Sequence, residues 1–444
     1  MFKRICAISA LFFLLSCSSP LVVSRSYFTA DNEVKVSKIS EQEFVTPSSF
    51  RVGVLLPLSG DAAKAGQGLK NAAMLALEDM NNPNLILQFY DTQSTPEGAR
   101  VAVANAINQR VRLIIGPLRS SEVEAISHQT RSRNIPVIAF STDESILQKQ
   151  VYTLGLLIDE QVSRIIEYAA EEGRTRFALL VPDNLSGTAV AASALKAAKR
   201  NGGSVVKIAF YAPNTNDFSD IVKQLSNYEN RAENGLDFDA VLIPESGSRL
   251  KSAAAMFGYY DVFAPEVMFL GTSIWENTNL NKETTLKKAV YPVLSRSHSA
   301  YFNKKYQSLY GNYPNGLFSF AYDAVALSSA LARRNPQNLD AAITTPDGFA
   351  GINGVFRIFA NGKNQHSMDV MQITPSADVV VNLAEQKFPA AFNESSSADI
   401  ASLYDSAPPQ IFGKDPAIVQ QELFGRELGL ENQNFNYRGF LFKY

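Results

Sequence analysis

The chain has 444 residues, 46% of them hydrophobic and 19% charged, with 41 Lys and Arg against 43 Asp and Glu for a net charge of −2. That length exceeds what one compact core usually holds, so two or more domains or lobes are expected, and the charge balance argues against a general nucleic-acid binder. Two cysteines, and three histidines dispersed as His128, His298 and His366, exclude a disulfide scaffold, a zinc ribbon and a histidine metal motif, so neither metal nor cofactor is expected.

Lys3 and Arg4 precede an apolar run, Ile5 to Leu15, that is too short to span a bilayer as a mature helix. This is the pattern of a secretory signal. The run ends in Leu14-Leu15-Ser16-Cys17, which resembles the bacterial lipobox. The resemblance implies a signal peptide of residues 1–16 and acylation of Cys17. Ser18, a residue other than Asp after that cysteine, implies a periplasmic lipoprotein sorted to the outer membrane. The alternative is an ordinary signal peptide cut elsewhere. Residues 17–49, rich in Ser, Thr and charge, read as a flexible tether.

From Arg51 onward short apolar runs alternate with helical patterns, the signature of a parallel sheet wrapped by helices. Val52 to Leu56, Leu85 to Tyr90, Leu113 to Ile115 and Val137 to Phe140 are expected strands. Leu69, Ala72, Ala73, Ala76, Leu77 and Met80 recur at helical spacing, as do Ala99, Ala102, Val103, Ala106 and Ile107. A second round places strands at Phe177 to Val181, Val205 to Tyr211, Ala240 to Ile243 and Glu266 to Leu270, with helices around Gly187 to Ala198 and Phe218 to Leu225. Two long helices follow, about Ser299 to Tyr310 and Leu317 to Ala332. Phe356 to Phe359, Asn361-Gly362 and Asp369 to Ile373 then read as a hairpin with a long loop.

The expected fold is therefore α/β, with two lobes that are each a mainly parallel sheet with helices on both faces. Residues 50–155 form the first part of lobe 1 and 156–270 the first part of lobe 2. Residues 271–350 return to lobe 1, and 351–381 are a hairpin completing lobe 2. Residues 382–444 are a C-terminal extension of low order, with one helix at Pro416 to Leu428 and with Phe424, Phe435, Phe440 and Phe442 available to dock on the body. Ligands of open α/β sheets sit at the C-terminal strand ends, and a hinge can close two lobes around them.

Three segments carry a resemblance: Arg51-Val-Gly-Val-Leu-Leu-Pro-Leu-Ser-Gly60, Ile114-Ile-Gly-Pro-Leu-Arg-Ser-Ser121 and Ile135-Pro-Val-Ile-Ala-Phe-Ser141. They resemble the first lobe of type I periplasmic binding proteins, the Leu/Ile/Val-binding kind, over about residues 50–375. Phe269-Leu-Gly-Thr-Ser-Ile-Trp-Glu-Asn277 and Phe320-Ala-Tyr-Asp-Ala-Val-Ala-Leu327 look like the penicillin-binding-protein activator lipoproteins of that superfamily. The best-known activators also carry an N-terminal helical-repeat domain, for which the residues before the first lobe leave no room.

Gly116-Pro117 ends a strand and Ser120-Ser121 begins a helix, so free N–H groups, hydroxyls and the helix dipole suit an anionic group there. Arg119 adds positive charge. The structural alternative makes Ser120 an N-cap and Arg119 a solvated surface residue. In the amino-acid-binding relatives the serine aligned with Ser120 holds the ligand carboxylate, and the turn aligned with Ser141 and Thr142 helps it. Three departures stand against that pattern: Ser273 where the relatives use an acid for the ligand ammonium, Asp143 where they use threonine, and Leu185 where they place an aromatic ring. Asp143, Asp183 and Glu245 remain as partners for an ammonium. The candidate ligand-binding set is Ser59, Arg119, Ser120, Ser121, Ser141, Thr142, Asp143, Asp183, Glu245 and Ser273, with Cys17 for lipidation. Trp275 is either a cleft wall or packing between lobes.

An enzyme is not expected. Gly66-Gln67-Gly68 lacks a third glycine and a Gly-Lys-Ser/Thr, no HExxH or GxSxG occurs, and the pairs Glu78-Asp79 and Glu171-Glu172 lie at consecutive helical positions that point apart. The leading expectation is a lipid-anchored, activator-like regulator of peptidoglycan synthesis, partnered by a penicillin-binding protein and an amino-acid-like or peptidoglycan-derived ligand. The alternative is a substrate-binding protein handing an amino acid or a related solute to an ABC transporter.

Overall fold

The computed structural model describes residues 49–276, 278–296, 299–388 and 408–424. The expected signal peptide, Cys17, all of the tether but Ser49, His298, and Phe435, Phe440 and Phe442 lie outside the described residues.

Five strands, β1 (Phe50–Leu56), β2 (Leu85–Asp91), β3 (Leu113–Ile115), β4 (Val137–Ala139) and β5 (Val151–Thr153), form an all-parallel sheet in the order β2-β1-β3-β4-β5. Helices α1 (Ala63–Met80), α2 (Pro96–Asn108) and α3 (Ser120–Arg131) make the crossovers. Val52, Val54, Leu55 and Leu56 are fully buried, because a parallel strand covered on both faces is apolar along its length rather than alternating. Helix α2 starts where Pro96 sits in the first turn and the Thr95 hydroxyl accepts the Gly98 N–H at 3.0 Å. Helix α1 ends at Asn81, whose left-handed φ of 40° breaks the helix.

The second sheet has eight strands. Four are parallel neighbours, β6 (Arg176–Pro182), β7 (Ser204–Tyr211), β8 (Ala240–Leu242) and β9 (Met268–Leu270), crossed by α4 (Ile158–Glu171), α5 (Leu185–Arg200), α6 (Ser219–Leu225), the single turn α7 (Arg231–Asn234) and α8 (Gly247–Tyr259). Then β10 (Val290–Leu294) joins parallel to β9. The chain returns to the first lobe through α9 (Ser299–Tyr310), α10 (Gly316–Arg334) and α11 (Leu339–Ile343), with α10 packed on α1. A small antiparallel sheet of β11 (Phe349–Gly351), β12 (Gly354–Ile358) and β13 (Asn364–His366) follows. Finally β14 (Met368–Gln372), β15 (Val379–Asn382), β16 (Gln410–Phe412) and α12 (Pro416–Phe424) complete the second lobe, whose order is β15-β14-β10-β9-β8-β6-β7-β16.

Three expectations need correction. Residues 271–350 do not all return to lobe 1, since β10 is an interior strand of the second sheet. The expected hairpin of Phe356–Phe359 with Asp369–Ile373 does not form. Gly362, with φ +93°, donates to the Phe359 carbonyl, and the Phe359 N–H donates to that of Lys363, so the chain reverses at once and Asn364–His366 becomes the partner of β12. Ile352, Phe356 and Ile358 consequently pack with Leu69, Phe318 and Tyr322 in the first lobe's core, and only β14 and β15 belong to the second. The C-terminal extension is also partly ordered: β16 pairs in parallel with β7, and Val419 and Leu423 of α12 are buried with Val190 and Ala194 of α5.

The backbone thus passes between the two lobes three times: from β5 to α4, from β10 to α9 and from β13 to β14.

Candidate ligand-binding cleft

The C-terminal ends of β1, β3 and β4 carry Ser59, Arg119 to Ser121 and Ser141 to Asp143, and those of β6, β8 and β9 carry Asp183, Glu245 and Ser273. The expected residues fall on one rim of each sheet, where an open α/β sheet binds its ligand. Glycines let the helices start close to that rim. A Cβ on Gly66 would stand 2.0 Å from the Pro57 carbonyl oxygen, and one on Gly187 would stand 1.9 Å from that of Pro182. The same device serves both lobes.

In the first lobe a hydrogen-bonded base holds the rim. Asp91 accepts the N–H groups of Leu58, Ser59 and Gln93 and the Ser59 hydroxyl at 2.6 Å. Burial pushes the Asp91 carboxyl up, but these donors outweigh it and hold it below the usual carboxylate range. The Ser94 hydroxyl donates to the Ser59 carbonyl and accepts the Ala62 N–H. Arg119 donates to the Ser94 carbonyl at 3.0 Å and pairs with Asp61 at 2.9 Å, so its charge is already engaged. Glu122, fully buried under the first turn of α3, accepts the Thr92 hydroxyl at 3.0 Å and the Arg119 N–H at 3.3 Å. Its burial raises the carboxyl above its ordinary value despite these donors.

Ser120 and Ser121 occupy the first two positions of α3, where backbone N–H groups have no intrahelical acceptor. Their hydroxyls make no hydrogen bond among the described residues, and the same is true of exposed Thr142. Ser141 is buried and accepts the Asp143 N–H at 3.1 Å, while Asp143 caps the short 3-10 turn Glu144–Ile146 through the Ser145 N–H and hydroxyl.

The second rim is different, because every expected residue there is bonded within the protein. The Ser273 N–H and hydroxyl both donate to Gln161 Oε1, at 3.0 and 2.7 Å. Glu245 accepts the Tyr211 hydroxyl at 2.8 Å and the Ser246 N–H at 3.0 Å, and it pairs with Arg249 at 3.0 Å. Burial, and then the adjoining Glu245 charge, raise the Tyr211 hydroxyl. Asp183 pairs with Lys414 at 2.6 Å, and Lys414 also reaches both carboxylate oxygens of Glu422 at 2.7 Å. Burial works against the Lys414 charge, but the two carboxylates outweigh it and raise the ammonium above its usual range. Trp275 is neither cleft wall nor interlobe packing. It is buried in the second lobe's core beside Tyr291, and its Nε1–H donates to the Glu245 carbonyl at 2.9 Å.

Sequence reasoning missed the supports: Asp91, Ser94, Glu122, Gln161, Tyr211, Arg249 and Lys414. Only Glu122 carried a local signal, an acid at the third position of a helix.

A family model described as periplasmic binding protein matches residues 49–378. The chain belongs to the periplasmic binding protein family. Among solved structures, this periplasmic binding protein is similar to a putative branched-chain amino acid ABC transporter protein from Rhodospirillum rubrum, with a TM-score of 0.65 and 19% identity over 75% of this chain and 100% of that one. It is also similar to an ABC-type branched-chain amino acid transporter protein from Rhodopseudomonas palustris, with a TM-score of 0.61 and 14% identity over 78% of this chain and 98% of that one. These likenesses establish the two-lobe type I fold. Among curated relatives, the Leu/Ile/Val-binding protein BraC3 of Rhizobium johnstonii is 22% identical over 192 residues, 40% of this chain and 52% of that one. An uncharacterised protein of Rickettsia prowazekii is 22% identical over 197 residues, 44% of this chain and 51% of that one. The chain spans about half the length of the curated relatives it matches. Among the described residues no helix is long and apolar enough to cross a membrane, and no group of His, Cys, Asp and Glu is placed to hold a metal.

Proposed function

We propose that this periplasmic binding protein is a non-catalytic, extracytoplasmic receptor for a small acidic solute. The solute lies between the lobes with its acid group at the start of α3. The observation that carries this reading is the contrast at the first rim: Ser120, Ser121 and Thr142 keep unpartnered hydroxyls beside free N–H groups, while the surrounding side chains are tied together beneath them. Handing the solute to an ABC permease is the corresponding role. Thermal-shift titration of the purified chain against small carboxylates tests it. A ligand at about 100 Kd adds roughly 2.7 kcal/mol of stability. Ser120→Ala is expected to weaken binding about tenfold, one lost hydrogen bond to a charged group, without changing the melting temperature of the free protein. Absence of any stabilising carboxylate counts against the reading.

A second reading, the lipid-anchored activator of a penicillin-binding protein at the outer membrane, rests on the lipobox-like end at Cys17 and on the two activator-like segments. Phe269, Leu270, Trp275, Phe320, Tyr322, Val325 and Leu327 of those segments are buried in the lobe cores. They support the fold more than a partner surface, so this reading stands second. Cross-linking in envelope extracts tests it, and a catch without any peptidoglycan synthase counts against it.

A further inference from the structure

Lys414 lies beyond the residues matched by the family model, on the segment that adds β16 and α12 to the second lobe. Parallel pairing of Gln410–Phe412 with β7 brings the chain to the sheet's C-terminal rim, and the tight passage of Gly413 past the Phe210 carbonyl directs it toward the end of β6. A Cβ on Gly413 would stand 2.0 Å from that carbonyl oxygen, and its φ is +73°. Lys414 then lies over the Phe210 ring, with only 9% of its side chain exposed, between Asp183 and Glu422. Glu422 is fixed in turn by the Thr188 hydroxyl at 2.9 Å.

Beside Asp91 and Asp61, which are held as described above, the two rims carry the three expected partners of a ligand ammonium: Asp143, Asp183 and Glu245. Asp143 accepts the Ser145 N–H and hydroxyl on one oxygen, Glu245 is engaged by Tyr211, Ser246 and Arg249, and Asp183 takes Lys414 on one oxygen. A buried lysine with two carboxylates at 2.6 to 2.7 Å has already made the charge-assisted bonds that a ligand ammonium would compete for.

We infer that Lys414 is a specificity-determining residue. By occupying Asp183 it restricts the cleft to carboxylates that carry no ammonium, so the ligand class is a simple organic acid and not a free amino acid. This rests on the receptor reading above and narrows it. An ammonium brought to the second rim would lose its water and meet an Asp183 already shared with the Lys414 cation, a cost that discriminates against it.

The test uses two pairs of probes that differ only in the amino group, leucine with 4-methylpentanoate and phenylalanine with 3-phenylpropanoate, titrated by calorimetry into the full purified chain. The wild type is expected to bind the amine-free member of a pair at least about tenfold more tightly. Lys414→Met is expected to shrink that ratio about tenfold or more, and Lys414→Arg to keep it. Lys414→Gln, a polar side chain that packs much as methionine does, covers the case in which Lys414→Met fails to fold, and it too is expected to shrink the ratio about tenfold or more. The inference is overturned if the wild type prefers the amino acids, or if the folded Lys414→Met or Lys414→Gln variant leaves the ratio unchanged. Binding of no probe at all would instead remove the receptor reading, and this inference with it.

Discussion

Glu160, in the first turn of α4, accepts the backbone N–H of His366, the last residue of β13, at 2.7 Å. The bond ties two of the three passages between the lobes. The same carboxylate accepts the Leu157 N–H at 2.8 Å and faces His366 Nδ1 at 3.2 Å. The imidazole is buried beside Phe320 and Phe356. Glu160→Ala leaves these donors unpartnered, each at about 1–3 kcal/mol for a buried group. The expected loss is about 2–4 kcal/mol, read as a lower urea midpoint, with Glu160→Gln losing less. An unchanged midpoint for the alanine variant would show that the passages are held elsewhere.

Asp323 on α10 is fully buried. Burial raises its carboxyl to about 7, against the N–H of Ile352, the nearby His366 and the amide of Asn353, which lower it. A carboxyl raised on folding keeps its proton in the native state while the unfolded chain releases it near 3.8. The stability this contributes is fully present below about pH 4 and is lost as pH rises toward 7. Asp323→Asn has no proton to release. Its unfolding free energy relative to the wild type is therefore expected to rise between pH 4 and 7, and parallel curves would contradict the assignment.

Gly68 on α1 lies under the ring of Phe318 on α10, where an added Cβ would come within 2.0 Å of the ring edge. Phe318 is itself packed against Tyr306, with ring centroids 5.9 Å apart. Gly68→Ala gains about 1 kcal/mol of helix propensity but forces the two helices apart at a typical cost of about 1–3 kcal/mol. Net destabilisation is expected, visible as a lower melting temperature. Phe318→Leu in the same chain should restore part of it.

Leu423 on α12 is 5% exposed against α5. Because α12 and β16 cover only the edge of the second sheet, Leu423→Ala is expected to free this segment without unfolding the body. Limited proteolysis would then cut near residues 408–424 much faster than in the wild type, at an almost unchanged melting temperature. A cooperative loss of the whole fold would show that the segment is integral to the lobe's stability.

The sheets were legible because buried parallel strands are unbroken apolar runs: Val52–Leu56 and Phe177–Val181 needed no context. The N-terminus of α3 was legible from Gly116-Pro117 followed by Ser120-Ser121. Strand β13 was not, because Asn364 and His366 are polar residues buried through bonds to Gly155 and Glu160 some two hundred positions away. Strand β16 is three residues long and earns its place only by pairing with β7. The state of the second rim was also invisible, since Asp183 and Lys414 are 231 residues apart and Gln161 and Ser273 are 112 apart, with nothing local to link them.

Strand order also sets a timetable for synthesis. All five strands of the first sheet have left the ribosome once residue 153 has emerged, but the outermost strand of the second waits for residue 412. At roughly 5–20 residues per second that interval is on the order of tens of seconds. Throughout much of it the early sheet lacks α10, so the face of α1 that α10 later covers stays open to water. The apolar surface left uncovered in that interval lies on the half whose strands emerge first.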